Sequence, residues 1–282
     1  MLFRSRATDN RAGLLRKAGD WAAAEPLQRE SLRDFLLAVG ESHRSTAICR
    51  TNLPMTLMAL GRHDDAFAMA AESVAAAQRL FLLTCAAGSE RQQFAAFAAL
   101  RTHLDAALTA GRRAGQPADR LYGMVLAWKG QVSRQRRRSR THADGGPLAA
   151  LEQRVRDATG ALAALSLHPG GDRPAWEAAL RAAAAKRDEC ERTLARAAAE
   201  GAGTVILDGT TAPRMPVLPA AAALVDVYEQ LSVDPATMRF QRTLLAFVVR
   251  ADGGVHLVDL GSATAMADLV DSWRAEFAVA AP

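Results

Sequence analysis

The chain has 282 residues, enough for one large domain or two ordinary ones, and half of them are apolar, which excludes a disordered tail protein. Aromatic residues make up only 5%, so the core has to be built mainly from Ala, Leu and Val. This composition favours closely packed helices over a sandwich or a barrel. The net charge of +5 comes from 35 basic and 30 acidic side chains, a small excess that is weak support for a nucleic-acid partner.

The sequence predicts a cytoplasmic location. A bilayer span needs about 18 apolar residues without charge, and we find no such run. Residues 1–10 contain no apolar stretch typical of a signal peptide. The cysteines Cys49, Cys85 and Cys190 are scattered, odd in number and never spaced as a CxxC pair, which indicates a reducing compartment.

The first 88 residues contain an internal repeat. Residues 10–25 align with residues 52–67, so that Asn10 falls on Asn52. The same offset pairs Leu15 with Leu57, Gly19 with Gly61, Ala24 with Ala66, Glu30 with Glu72, and Ser31 with Ser73. Each unit predicts a helix, a turn at glycine, which adopts the left-handed conformation cheaply, and a second helix.

This unit resembles a tetratricopeptide repeat. The linker Val39–Thr46 makes the period longer than the usual ~34 residues, as in kinesin light chains and many bacterial regulators. Arg44 stands where that form has proline, and Pro54 is expected to kink its helix. We predict two units over residues 1–88, the first incomplete, with a short or frayed first helix.

A helical connector is predicted over residues 89–201. Ser89 is a good N-cap for a helix, and a second helix starts near Pro117. Two further helices after Pro147 and Pro174 are expected to form an antiparallel hairpin. Glycine- and proline-rich loops at 144–147 and 168–174 separate these helices.

The pattern changes to strands in residues 202–282. Residues 223–229 alternate like a strand with one buried face, and residues 243–249 are continuously apolar, like a strand covered on both sides. Residues 255–260 return as a third strand after a turn at 250–254. Ser262 can cap a final helix with one apolar face, formed by Met266, Leu269, Val270, Trp273 and Phe277.

The order of these segments resembles the N-terminal portion of bacterial CHAT proteins, the caspase-like peptidases associated with tetratricopeptide repeats. The resemblance is carried by the Ser89–Gln92 helix start, Val125–Gly130, Ala223–Tyr228, Leu245–Gly253 and Leu269–Arg274. It implies a mainly α fold of repeat hairpins and a helical connector, followed by a small β-hairpin/α segment that begins a caspase-like α/β domain. In that family the catalytic His and Cys lie on later strands.

No catalytic residue is assigned to this chain. Cys190 lies between two glutamates, which disfavour a thiolate, and Cys49 and Cys85 fall on apolar helical stretches. His256 lies in mid-strand and does not match the family's catalytic histidine. The histidines form no metal-ligand spacing, and phosphate-binding and dinucleotide motifs do not occur, so no metal or cofactor is expected.

Two segments remain as binding candidates. The run Arg134–His142 could contact nucleic acid, but no aromatic residue is interleaved, and we favour a solvated helix end. In related repeats the residue equivalent to Asn10 and Asn52 reaches the backbone of a bound peptide; the alternative is a hydrogen bond between local helices.

The leading interpretation of the whole chain is the partner-docking, regulatory portion of a CHAT-type cysteine peptidase. The alternative is a stand-alone repeat adaptor without enzymatic activity.

Overall fold

The computed structural model describes residues 2–41, 43–141, 148–168, 172–201, 215–234, 237 and 239–279. The helices are α1 (Leu2–Lys17), α2 (Trp21–Val39), α3 (Arg44–Ala59), α4 (His63–Ala87), α5 (Glu90–Arg113), α6 (Ala118–Thr141), α7 (Ala149–Leu167), α8 (Arg173–Gly201) and α9 (Ala263–Val279). The strands are β1 (Ala223–Asp234), β2 (Arg239–Arg250) and β3 (Val255–Ser262).

The mainly α architecture predicted from the sequence is confirmed. The described residues before Gly201 are helices and short turns, and the strands fall between Ala223 and Ser262. Strands β1 and β2 are several residues longer than the patterns predicted. The loop at 144–147, residues 169–171 of the next loop and the composition change at 202–214 lie outside the described residues.

The described residues form two compact units. The first contains residues 1–77, 101–127 and 212–282, and the second contains residues 78–100 and 128–211. Helices α4, α5 and α6 each contribute residues to both.

In the first unit, the two predicted repeats share the same turn. Gly19 and Gly61 have φ of 80° and 74°, the left-handed conformation that glycine adopts without steric cost. Asp20 N–H donates to Leu15 O, and Arg62 N–H donates to Leu57 O, both at 2.9 Å. These bonds close the two helix ends in the Schellman pattern. Helix α1 has 16 residues, the same number as α3, so it is not shorter than its counterpart.

A third helical hairpin with the same turn follows in this unit. Gly115 has φ of 64°, and Gln116 N–H donates to Gly111 O at 2.9 Å, repeating the backbone bonds of the first two turns. The hairpin joins the end of α5 to the start of α6. Sequence comparison missed it because Gly115 lies 54 residues after Gly61, not 42, and Pro117 changes the start of the next helix.

Gly111 allows this hairpin to pack closely against the second repeat. A Cβ atom at this position would lie 2.6 Å from Leu121 Cδ2 and 3.0 Å from Phe67 Cε2. Both neighbouring side chains are buried. The guanidinium of Arg120 lies 4.7 Å from the Phe67 ring centroid, so a cation–π contact completes the junction.

The three strands form one antiparallel sheet in the order β1-β2-β3. Leu245, Phe247 and Val249 of the central strand are fully buried. The continuous apolar pattern predicted cover on both faces of this strand, but only this face is fully covered. On the opposite face, Val227, Ala246 and Val258 lie side by side in register, and both valines are more than two-fifths exposed. The Ser262 hydroxyl accepts from Ala265 N–H at 3.4 Å and caps α9, as predicted.

Strand β1 packs against α5 through a buried polar network. Tyr228 Oη donates to Asp105 Oδ1 at 2.9 Å, and the same carboxylate accepts from the backbone N–H of Leu231. Gln230 Nε2 donates to Thr109 Oγ1 at 2.7 Å, while Arg101 donates to the Glu229 carbonyl. The helix therefore covers the outer edge of β1, which would otherwise present unpaired backbone groups.

The sheet occupies the place of a fourth repeat. In each of these three hairpins, the fifth residue of the second helix contacts the segment that follows in the stack. Glu25 accepts from Arg62 at 2.7 Å, and the Phe67 ring lies under Arg120. The third such residue, Tyr122, stacks on Phe247 of β2 with ring centroids 5.0 Å apart. The sheet thus caps the last hairpin, whose apolar face would otherwise meet solvent.

The second unit contains the predicted α7–α8 hairpin. Trp176 Nε1, at the start of α8, donates to Leu165 O, at the end of α7, so the two helices are antiparallel. Ser89 and Gln92 bond reciprocally at the start of α5 in a capping box, which confirms Ser89 as the N-cap. Arg91 pairs with Asp188, whose side chain is 1% exposed.

Helix α4 contains a long apolar segment. Its segment His63–Cys85 is long and apolar enough, by length and composition alone, to cross a membrane. The search for a wholly uncharged run missed it because the segment includes charged residues. One side of the helix is packed inside the protein, and Ala66, Phe67, Ala70, Val74, Ala77 and Phe81 are each less than 5% exposed.

Candidate functional site

A cleft of about 420 Å³ opens between the first helices of the two repeats. Arg6, Asp9 and Asn10 border it from α1, where their i, i+3, i+4 spacing brings them to one face. Ser45 and Ile48 border it from α3, and Phe35 of α2 also lines it. Ile48 is 43% exposed although it is a large apolar side chain. The cleft can therefore offer charged, amide and apolar groups to one ligand.

Asp9 is held in place beneath the cleft by hydrogen bonds between helices. Cys49 Sγ donates to Asp9 Oδ1 at 3.4 Å and lies 3.6 Å from Ser31 Oγ. The Ser31 hydroxyl donates to the Ser5 carbonyl at 3.2 Å. Burial and the nearby Asp9 carboxylate raise the pKa of Cys49 to about 12, so this cysteine is a neutral structural group.

The two predicted asparagines occupy different surroundings. Asn10 is exposed and borders the cleft, whereas Asn52 is half-buried on α3 and does not belong to its lining. Neither side-chain amide forms a hydrogen bond with another described residue. The role of each asparagine in peptide binding stays a prediction.

The second repeat carries a buried polar group at the position equivalent to Ser31. Ser73 Oγ lies 2.6 Å from His103 Nδ1, and Thr51 Oγ1 lies 3.3 Å from the same nitrogen. Burial, together with the positive charge of Arg50, lowers the pKa of His103 to about 4. The imidazole is therefore neutral at physiological pH and links the second repeat to the third hairpin.

Sequence reasoning missed most of the residues that line the cleft. The helical period starting from Asn10 could have identified Arg6, four residues earlier on the same face. The repeat offset could have identified Ile48, which is the counterpart of Arg6. Phe35 carried no local signal, because its position depends on how α2 packs against the two other helices.

The remaining residues considered for catalysis are three cysteines and His256. Cys49, Cys85 and Cys190 are buried, and burial raises the pKa of Cys85 to about 12. His256 is exposed on β3. Among the described residues, no group of three or more His, Cys, Asp or Glu side chains could hold a metal ion.

The arginine run continues as helix through Thr141 at the end of α6, while His142 lies outside the described residues. The interpretation of this run as a solvated helix end, and not as a nucleic-acid contact, stays a prediction.

Comparison with protein families identifies the repeat segment. Residues 4–80 match the family model of the tetratricopeptide repeat, close to the range in which the sequence pattern was recognised. The match covers α1 to α3 and most of α4, including all the residues that line the cleft. No curated protein matches the chain. Repeats of this kind point to protein–protein interaction, and residues 4–80 of this chain are a tetratricopeptide-repeat segment.

Proposed function

We propose that the cleft between α1 and α3 binds an extended segment of a partner protein. The observation that carries this proposal is the combination, at the cleft, of an exposed Ile48 with the Asn10 amide, which has no hydrogen-bond partner among the described residues. An amide can pair with the N–H and C=O groups of a peptide backbone, whereas the isoleucine can take an apolar side chain. Asn52 on the neighbouring α3 is the second proposed backbone contact.

Arg6 and Asp9 give this site its selectivity. The Arg6 guanidinium is exposed at the rim, while the Asp9 carboxylate is fixed by Cys49. A peptide with an acidic residue near Arg6 and an apolar residue near Ile48 is complementary to this arrangement.

Selection of peptides from a displayed library on the whole chain tests the proposal. A selected peptide should bind Asn10→Ala and Asn52→Ala about fivefold more weakly, since a lost hydrogen bond costs on the order of 1 kcal/mol. Arg33→Ala is the control, because Arg33 is exposed on α2 and lies outside the cleft lining. Equal affinity in all three variants would contradict the proposal, and an equal loss of stability and binding would indicate a structural role.

We further propose that this docking module belongs to a CHAT-type cysteine peptidase, as its regulatory portion. The order of helical and strand segments supports this context. The apolar outer face of the sheet, with Val225 and Val227 more than two-fifths exposed, also supports it, because further parts of a caspase-like domain could cover that face. In that context the repeats position a substrate or partner, and this chain performs no cleavage itself.

A stand-alone adaptor is the second candidate function. The packing of β1 and β2 on Tyr122 and Asp105 favours it, since the sheet already serves as the cap of the repeat stack. The coding sequence after Pro282 distinguishes the two. Continuation into a histidine and a cysteine, each after an apolar strand, supports the peptidase, and a stop codon supports the adaptor.

A further inference from the structure

A second cleft, of about 610 Å³, lies between the sheet and the last turn of α5. Its volume falls in the range of small-molecule sites, roughly 300–1,000 Å³. Arg112 and Arg113 border it from the helix, and Arg239 borders it from the start of β2. All these residues belong to the first unit.

The part of the sheet that borders this cleft carries a row of polar side chains on the face that packs against α5 further along the strands. Cross-strand partners share a face, and Tyr228 with Leu245 begins the helix-facing side. Moving away from that pair, the same face carries the partners Gln230 with Thr243, Ser232 with Gln241, and Asp234 with Arg239. Packing of the sheet on α5 does not require polar residues at the last two pairs, because Gln241 and Arg239 are exposed.

Hydrogen-bond donors exceed acceptors in the cleft. Arg112 pairs with Asp259, and Arg113 approaches Asp234 at 4.0 Å. Arg239 forms no ion pair with another described residue, although Asp234 is its cross-strand partner. The buried hydroxyl of Thr243, which also lines the cleft, finds no hydrogen-bond partner among the described residues.

We propose that this cleft binds a small oxyanion, the phosphate or carboxylate group of a small molecule. Arg239 provides the positive charge, since Arg112 and Arg113 are engaged with carboxylates. The Thr243 hydroxyl is buried and is not a contact of the anion. A guanidinium suits both groups because its planar N–H donors can bind two oxygens at once.

Titration of the whole chain with inorganic phosphate and, separately, with succinate, followed by calorimetry, tests the proposal. Arg239→Gln should weaken binding of the preferred anion by about tenfold or more, because hydrogen bonds between charged groups are strong. Thr243→Val, nearly equal in volume, should leave binding unchanged, because the Thr243 hydroxyl is buried. Saturation by phosphate or by succinate, with this pattern of losses, supports the proposal and identifies the group recognised.

Arg242→Gln is the matched control. It removes the same charge from the same strand, but Arg242 lies on the opposite face and pairs with Glu229. Its anion affinity should equal that of the unaltered chain. An equal loss in Arg242→Gln would show that only net charge matters and would overturn the proposal. Failure of both anions to bind at millimolar concentration would overturn it as well.

Discussion

The hydroxyl of Tyr228 donates to the Asp105 carboxylate at 2.9 Å, joining the sheet to the third hairpin across 123 positions of sequence. Both side chains are about 95% buried. Burial raises the pKa of Asp105 from 3.8 to about 6, against the opposing effect of the Tyr228 hydrogen bond and of Arg101. The folded protein therefore holds a proton on Asp105 more tightly than the unfolded chain does.

This shift predicts a pH-dependent contribution to stability. The contribution of Asp105 is complete below about pH 3.8 and is lost as the pH rises through about 6. Compared with Asp105→Asn, the unaltered chain should lose on the order of 2 kcal/mol of unfolding free energy between pH 4 and 6.5. Urea unfolding of both chains across this range measures it. A constant difference between them would contradict the prediction.

His103 should act in the opposite direction. Burial and Arg50 lower its pKa from 6.5 to about 4, so its contribution to stability is complete above pH 6.5 and is lost as the pH falls through about 4. Compared with His103→Gln, the unaltered chain should become less stable on acidification, again by on the order of 2 kcal/mol. Urea unfolding of both chains over the same pH range measures this. If the unaltered chain instead gained unfolding free energy relative to His103→Gln on acidification, the imidazole would not be buried in its neutral form.

Gly111→Ala should destabilise the first unit. The new methyl group would enter the space between Leu121 and Phe67, which are both buried, and overpacking of this kind costs about 1–3 kcal/mol. Gly123→Ala is the control, because no atom lies within 4 Å of its Cβ position and alanine favours a helix by about 1 kcal/mol. Thermal unfolding should show a lower midpoint for the first variant and an unchanged or higher one for the second. Equal midpoints would argue against the close packing of α4, α5 and α6.

Removing the stacked ring of Tyr122 should loosen the sheet. Tyr122→Ala takes away the contact with Phe247 and leaves a cavity, at a cost of about 3–5 kcal/mol. Amide exchange in β2 should accelerate more than exchange in α1. Exchange that is unaltered in β2 would show that the sheet does not depend on this hairpin.

Local patterns predicted those parts of the fold that depend on nearby residues. The turns at Gly19 and Gly61, the Ser89 cap and the alternating burial of β1 all follow from short-range chemistry. The contact between Asp105 and Tyr228 does not, because its two halves lie on distant segments with different periods. The third hairpin was not predicted because Gly115 does not follow Gly61 at the repeat spacing. Its turn nevertheless has the same backbone geometry as the turns at Gly19 and Gly61.

The residues that line the cleft between α1 and α3 were predictable only in part. Repetition identified Asn10 and Asn52, but only Asn10 borders the cleft. Phe35 lines the cleft because α2 packs against α1 and α3, and the sequence of one helix does not reveal how it packs against two others. The polar row at Ser232, Gln241 and Arg239 required the strand register, which was known only once β1 and β2 were paired.

Amide chemical-shift mapping can show whether the face shared by α1 and α3 captures a peptide. A library-selected peptide is titrated into the isotope-labelled chain. Shifts should be concentrated at residues 6–10 and 45–52, and Asn10→Ala should need a higher peptide concentration to reach them, in proportion to its lower affinity. Shifts confined to other segments, with residues 6–10 and 45–52 unchanged at saturation, would contradict it.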